Sequence, residues 1–423
     1  MKVWLVTIGE PLPTDGSGDA RLHRTGIFAG ILAQRGHDVV WWTSAFDHFT
    51  KTHRTREDEV IDWRDGYRIR ILQARGYGSN VSLGRVLDHR GLARRFARQA
   101  PEQPPPDVIV AAMPTPGLAL ASADYGRDKG VPVVLDVRDL WPDVFLDLVP
   151  AWLRPLASLP LVPMRRTVAA ACAKATAISG ATPRYVEWGL EQGRRTPSGL
   201  DRSFPMGYPE TRPDSDELER ARAFWAEHGL TEEDDCLNLT FFGTFGRQFD
   251  IETVIEAARL LDREGRAVRF VLCGAGENLA KYKSRAAGLG NVVFPGWINA
   301  AQIWTMLRMS SVGLAPYKPT KNFLANIANK PLEYLSAGLP ILAGLRGMLG
   351  ELVEKEDCGV VYDSGRPEQL ARILRSLHED RARLEAMSRN ARVLFEQRFS
   401  AEKVYGEMAG YLGEVVESRG RSR

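Results

Sequence analysis

Lys2-Val3-Trp4-Leu5-Val6-Thr7-Ile8 and Val39-Val40-Trp41-Trp42-Thr43 are two short apolar runs near the start of the chain. Between them Leu22, Gly26, Ala29 and Leu32 recur on one face at helical spacing. Gly36-His37-Asp38 then breaks that stripe. Strand, helix and strand in this rhythm predict a parallel sheet with right-handed crossovers, and so an α/β protein.

Outward from there the rhythm continues. Strands are expected over 67–72, 107–112, 131–137 and 176–179, with helices over 83–99 and between the middle two strands. The charged stretch 48–65 reads as an exposed loop and 101–106 as a proline-rich turn. A first Rossmann-like domain therefore covers 1–195. Residues 196–213 hold Pro and Gly with almost no periodicity and read as a linker. A charged helix is expected over 214–228, and a second α/β series starts at Cys236. Ile251, Val254, Ile255, Ala258 and Leu261 form its first helical stripe. This second domain is expected over 214–399, and 400–423 carries a last helix and tail. In such sheets ligands bind at the carboxyl ends of the strands.

The chain's 423 residues suit two or three domains, and 44% apolar with 26% charged residues is a globular mixture. Lys plus Arg number 56 against 53 Asp plus Glu. That near balance, with no aromatic-basic stripe, argues against a nucleic-acid binder. Cys172, Cys236, Cys273 and Cys358 are too far apart for metal-ligand spacing and read as buried thiols. The first residues lack a signal-peptide cleavage region. No apolar run is long enough for a membrane-spanning helix.

The strand-end motifs carry the chemistry. The loop 9–19 lacks the G-x-G-x-x-G spacing of dinucleotide enzymes. Its Gly16 and Gly18 fit a plain turn or a loop draped over a substrate. Asp136-Val137-Arg138-Asp139-Leu140-Trp141-Pro142 packs charges after a buried strand. It reads as part of a site, or as an Arg–Asp pair bracing a loop. Gly243-Thr244-Phe245-Gly246-Arg247 and Gly274-Ala275-Gly276 are glycine loops in corresponding positions. Their glycines are expected to leave backbone amides accessible, and Arg247 offers a guanidinium to a phosphate. Asn329-Lys330-Pro331-Leu332-Glu333 is the sharpest signal. Pro331 suits a first helical turn, whose amides attract anions, and Lys330 adds charge there. Glu333, one turn on, is expected to share that face and could accept two bonds from a ribose diol. The alternative is a capped, solvated helix start. The histidines make no ligand pattern, so no metal site is expected. Residues 152–166 mix apolar residues, prolines and arginines. They fit shallow insertion into a lipid surface, or a connection packed on the domain.

Taken together, Val137-Arg138-Asp139-Leu140-Trp141-Pro142, Phe242-Gly243-Thr244-Phe245-Gly246, Leu272-Cys273-Gly274-Ala275-Gly276-Glu277, Phe294-Pro295-Gly296-Trp297 and the run from Asn329 through Pro340 carry a resemblance. The chain resembles, over nearly its whole length, the retaining GT-B glycosyltransferases of family four. Within them it looks closest to the bacterial branch of L-fucosaminyl and related amino-sugar transferases. The resemblance implies two facing Rossmann-like domains with an inter-domain cleft, the first for an acceptor and the second for a nucleotide sugar. It matches Glu333 to the acid that grips the ribose and Arg247 to a basic residue at the donor diphosphate. Gly243, Gly246, Gly274 and Gly276 line the nucleotide pocket, and Trp297 and Ile298 lie beside the base. Gly16 and Gly18 fall in the loop closing over the donor. Arg247 and Lys330 would stabilise the leaving diphosphate, and Asp139 or Arg138 would orient the acceptor or the sugar hydroxyls.

Two departures stand out. Ala325 replaces a glutamate that many members have, leaving Asn326, Asn329 and Lys330 to meet the donor sugar. No lysine follows Arg247 before Arg259, leaving Lys330 for that phosphate role. The implied reaction moves a sugar from a UDP-sugar substrate to a polyprenyl-diphosphate-linked sugar, in lipopolysaccharide or capsule assembly. No cofactor or bound metal is implied. The implied place is the cytoplasmic face of the cell membrane, contacted peripherally through 152–166. Rival readings are a GT-B nucleotide-sugar 2-epimerase and a non-catalytic sugar-nucleotide binder.

Overall fold

The computed structural model describes residues 1–16, 21–63, 66–233 and 235–420. The chain forms two compact units: Met1–Gly207 joined by the chain from Val404 onward, and Tyr208–Lys403.

Unit 1 is built on eight strands: β1 (Lys2–Val6), β2 (Asp38–Ser44), β3 (Glu59–Trp63), β4 (Tyr67–Leu72), β5 (Val108–Met113), β6 (Val133–Val137), β7 (Ala177–Gly180) and β8 (Arg202–Ser203). They lie in the order β3-β4-β2-β1-β5-β6-β7-β8. Every pair is parallel except β3 with β4. The apolar runs of β1, β2 and β5 are buried on both faces, as helices on either side of a parallel sheet require. Trp4 and Trp42 meet at 5.1 Å, and Phe96 and Tyr125 close on them at 5.1 and 5.2 Å. Each such ring contributes about 2–3 kcal/mol by its burial.

Two expectations change. The stretch 48–65 is not all loop, because Glu59–Trp63 adds an antiparallel edge strand. That strand is exposed, so it lacks the apolar signature of the inner ones. Within 196–213, Arg202–Ser203 pairs with β7 as the opposite edge, and Phe204 is buried behind it. Two residues are too few to show a period.

The last helix, Ala401–Gly420, begins in unit 2 and reaches unit 1 at Val404. There the Gly207 amide donates to Tyr405 Oη at 3.1 Å, and Arg35 Nη1 donates to Gly406 O at 3.0 Å. Tyr411 Oη donates to Leu200 O at 2.8 Å, so the helix is pinned along its length.

A buried ionic cluster joins β6 to the first helix, Arg24–Gln34. Arg24 forks onto Asp136 at 2.8 and 3.2 Å and donates to the carbonyls of Phe204 and Pro205. Ser179 Oγ and Arg138 Nε complete the Asp136 shell at 3.0 and 2.6 Å. Burial alone would raise the Asp136 carboxyl, but the two guanidiniums win and hold it well below the usual carboxylate range. Its stabilisation is therefore fully present above the ordinary aspartate value, about 3.9, and is lost only as the pH falls toward the lower folded value. Arg24→Ala is expected to destabilise unit 1 by about 3–5 kcal/mol, since it strips a buried carboxylate of one partner. Urea unfolding measures that loss; a shift in midpoint too small for 1 kcal/mol (about the size of one ordinary hydrogen bond) would deny the cluster this role.

Unit 2 repeats the plan with six parallel strands: β9 (Leu237–Phe242), β10 (Val268–Cys273), β11 (Val292–Gly296), β12 (Val312–Ala315), β13 (Ile341–Ala343) and β14 (Gly359–Val361). Their order is β11-β10-β9-β12-β13-β14. The helix Ser215–Glu227 opens with a capping box between Asp214 and Glu217. Both sheets thus reverse direction at one place, between β1 and β5 in unit 1 and between β9 and β12 in unit 2. Those switch points are where open α/β sheets leave room for ligands.

Candidate functional site

In unit 2 the glycine loops after β9 and β10 lie one against the other. Gly274 has φ +141°, and a Cβ there would stand 1.8 Å from Gly243 O. Gly276, at φ +146°, would meet the Phe245 amide nitrogen at 2.8 Å. Only glycine permits this approach. The loops are laced by backbone bonds: Gly243 N to Cys273 O at 3.0 Å, Phe245 N to Ala275 O at 2.8 Å, Gly246 N to Thr244 O at 2.9 Å, and Gly274 N to Gly296 O at 2.7 Å. This corrects the expectation of accessible amides at Gly243, Gly246 and Gly274. The amides of Gly243 and Phe245 are spent joining the two loops, that of Gly246 within its own loop, and that of Gly274 on the end of β11. Gly246 serves Gln248, whose Oε1 would be 2.3 Å from an added Cβ. Phe245 anchors the loop downward, fully buried against Tyr282 and Phe294.

Positive charge reaches this floor from the crossover between β12 and β13. The helix Asn329–Ser336 starts at the surface, with Asn329 exposed and Lys330 half-buried. Lys330 Nζ would stand 2.8 Å from a Cβ on Gly243, so the ammonium rests on the first loop where only a glycine leaves space. It also lies 5.2 Å from the Phe249 ring and 5.9 Å from that of Phe241. Ala328 provides no side-chain cap to the helix start. Arg247 leaves the same loop outward, 89% exposed, and pairs with Glu277 at 3.2 Å.

Other expected residues are placed as follows. Glu333 is 2% exposed, so it does not share the surface with Lys330, and its charge helps raise the Tyr317 hydroxyl, which burial already pushes up. One helical turn separates the two, and it takes the chain from the half-buried Lys330 to the buried Glu333. Trp297 is 70% exposed while Ile298 is buried, so consecutive residues point apart. Asn326 is half-buried. Gly16 sits at φ +64° in a turn beside Asp15, which Arg54 holds at 2.5 Å. Gly18 lies outside the described residues.

Unit 1 holds a cavity of about 240 Å³ at its own switch point. Thr7, Ser44 and Thr115 line it from the ends of β1, β2 and β5, and Arg138 from the end of β6. Arg138 is committed to Asp136 and Glu10 and donates to Thr25 Oγ1 at 2.9 Å. Asp139 turns back to accept the Leu140 amide at 2.8 Å, and burial raises its carboxyl. Sequence reading did not single out the rest of the wall. His48 Nδ1 and Tyr77 Oη are 2.6 Å apart. Arg85, Asp88 and His89 come from the helix Leu83–Gln99. Burial, then the charge of Arg85, pushes His48 down to about 4 and His89 to about 3, so both imidazoles are neutral at pH 7. Arg85, Asp88 and His89 share one helical face, a signal visible in the sequence.

In unit 1 the segment after β6 runs through short helical turns, among them Arg154–Ser158. Trp152, Leu156 and Leu159 stand exposed there, Trp152 by 78%. Arg165 pairs with Asp143 at 3.1 Å. Among the described residues no helix is long and apolar enough to cross a membrane, and no group of three His, Cys, Asp or Glu could hold a metal ion.

Comparisons with known proteins place these halves. Residues 24–198 match the Glycosyl transferase 4-like domain, and residues 229–394 match Glycosyl transferases group 1. Alpha-D-kanosaminyltransferase of Streptomyces kanamyceticus is 24% identical over 205 residues, 48% of this chain and 51% of that one, so the chain spans about half the length of this relative. HepE of Anabaena, solved in complex with UDP, superposes with a TM-score of 0.66 at 15% identity, covering 98% of this chain and 100% of that one. Sucrose-phosphate synthase of Thermosynechococcus elongatus gives 0.67 at 16%, covering 99% of both. WaaG, a glycosyltransferase involved in lipopolysaccharide biosynthesis, gives 0.62 at 18%, covering 97% and 99%. The shared fold is GT-B.

Proposed function

From the premise that this chain is a GT-B glycosyltransferase, we propose that it moves a sugar from a UDP-sugar to a sugar carried on a polyprenyl diphosphate at a membrane face. Unit 2 holds the donor and unit 1 the acceptor, and the anomeric configuration is retained. The observation that carries this reading is the Lys330 ammonium lying against Gly243 at the switch point of unit 2.

As the glycosidic bond breaks, the diphosphate gains negative charge. Lys330, fixed on a rigid loop, meets that charge without reorganising, and the uncapped first turn of its helix adds partial positive charge. Arg247 swings from Glu277 to the outer phosphate oxygens. Glu333 takes the ribose hydroxyls from within the unit, and Asn326 and Asn329 meet the donor sugar in place of the glutamate lost at Ala325. Trp297 offers a ring to the base. Arg138 and Asp139 orient the acceptor side, Arg138 through its fixed ion pairs. UDP as the carrier is supported by HepE's complex with UDP, and an amino or deoxy sugar, as in the fucosaminyl branch, by the kanosaminyltransferase match.

Contact with the membrane is assigned to the exposed Trp152, Leu156 and Leu159, with Arg166 facing lipid phosphates. In this reading the enzyme works at the cytoplasmic face in surface-polysaccharide assembly. The test is transfer from a panel of UDP-sugars to polyprenyl-linked sugars in anionic vesicles, with mass analysis of the lipid. One donor should label the lipid, and the variant Trp152→Ser/Leu156→Ser/Leu159→Ser should float with vesicles about tenfold less. Release of a free epimerised sugar without any acceptor would replace this reading by an epimerase. Unchanged flotation of the triple variant would remove the membrane contact.

A further inference from the structure

The unit 1 cavity holds a cation without a close counter-charge. Arg24 and Arg138 are each paired with Asp136, and Arg138 also with Glu10. Arg85 is different: among the described residues no carboxylate lies within 4.0 Å of its guanidinium. Its Nη1 donates to Asn80 O at 2.9 Å, and its Nε–H is buried with no hydrogen-bond partner. The guanidinium lies over the Trp141 ring at 4.4 Å and the Tyr77 ring at 5.5 Å, which holds its plane while leaving in-plane donors unspent. Asp88, on the same helix, is turned to the amides of Arg75 and Gly76 at 2.8 and 2.9 Å. A partly buried cation with an unmet donor is costly unless something anionic completes it.

The neighbours suit a sugar beside that charge. His48 and Tyr77, 2.6 Å apart, form a neutral donor–acceptor pair, and Thr7, Ser44 and Thr115 add hydroxyls around a space near one pyranose ring in size. Lys51 Nζ, 4.8 Å from the Tyr77 ring, adds a second positive charge at this edge.

We propose that this cavity recognises an oxyanion on the acceptor, with Arg85 as the specificity-determining residue and the His48–Tyr77 pair reading an adjacent hydroxyl. It rests on the reading that unit 1 takes the acceptor. The oxyanion is either a phosphate of the diphosphate link or the carboxylate of an acidic sugar, and the probes separate the two. Calorimetry on the full chain with saturating UDP would use farnesyl diphosphate, inorganic pyrophosphate and methyl glucuronide, with methyl glucoside as the neutral control. At least one anionic probe should bind, and Arg85→Gln should weaken it about tenfold or more, with partial rescue in Arg85→Lys. Methyl glucoside should not distinguish Arg85→Gln from the parent chain. A diphosphate effect assigns the link, and a glucuronide effect assigns an acidic sugar. Failure of every anionic probe to bind the parent chain, or equal binding to Arg85→Gln, overturns the proposal. UDP affinity, measured alone, reports on the donor reading separately: if it survives in Arg85→Gln while the anionic effect is missing, only the present inference falls.

Discussion

Lys330→Ala is expected to lower kcat about a hundredfold or more while the chain stays folded. The ammonium sits over the laced loops of Gly243 and Gly274, where a leaving diphosphate would develop its charge. Removing one prepared donor of this kind commonly costs about 10²–10³ in rate. Lys330 is half-buried, and its ring contacts at Phe249 and Phe241 contribute about 0.5–1 kcal/mol. Arg247→Ala should cost about tenfold, because that side chain is 89% exposed and already engaged with Glu277. Steady-state kinetics with the accepted UDP-sugar check both. A Lys330→Ala enzyme with full kcat would remove the lysine from the reaction, and a larger effect at Arg247 would reverse the order of the two.

Gly274→Ala is expected to destabilise unit 2 by about 3–5 kcal/mol and to abolish turnover. Two penalties coincide there. The backbone is at φ +141°, and the new methyl would be 1.8 Å from Gly243 O, a main-chain atom that cannot rotate away. Relief requires parting the two loops and breaking the bonds from Gly274 N to Gly296 O and from Phe245 N to Ala275 O. Gly290→Ala is the control: its Cβ meets nothing nearer than Asp262 Oδ1 at 3.6 Å, so it should change stability by less than about 0.5 kcal/mol. Urea unfolding of the two variants checks this. Equal midpoints would mean the loops tolerate a side chain and are not rigidly joined.

Much of the fold is legible in the sequence because inner parallel strands must be apolar on both faces. The runs at Trp4, Trp41, Val110 and Phe241 carry that mark. The edge strands β3 and β8 do not, because one is solvated and the other is two residues long. The site is legible where one segment carries its own chemistry. Asn329-Lys330-Pro331 announces a charged helix start, and the structure sets its lysine on the Gly243 loop singled out separately. Reading fails where roles depend on partners. The amides of Gly243, Gly246 and Gly274 look available until their carbonyl partners are seen, and the helix start at Glu333 fits a solvated one until the carboxylate is found buried. The unit 1 cavity is harder still. His48, Tyr77, Arg85 and Trp141 come from four separate stretches of chain, and only the sheet's switch point brings them together.

The central claim is that the joined loops of unit 2, with Lys330 above them, hold a nucleoside diphosphate. A crystal structure of the full chain grown with UDP tests it most directly. Diphosphate oxygens should appear within hydrogen-bonding distance of Lys330 Nζ, over Gly243. UDP seated elsewhere, or a Lys330 ammonium turned away from the phosphates, would contradict the account.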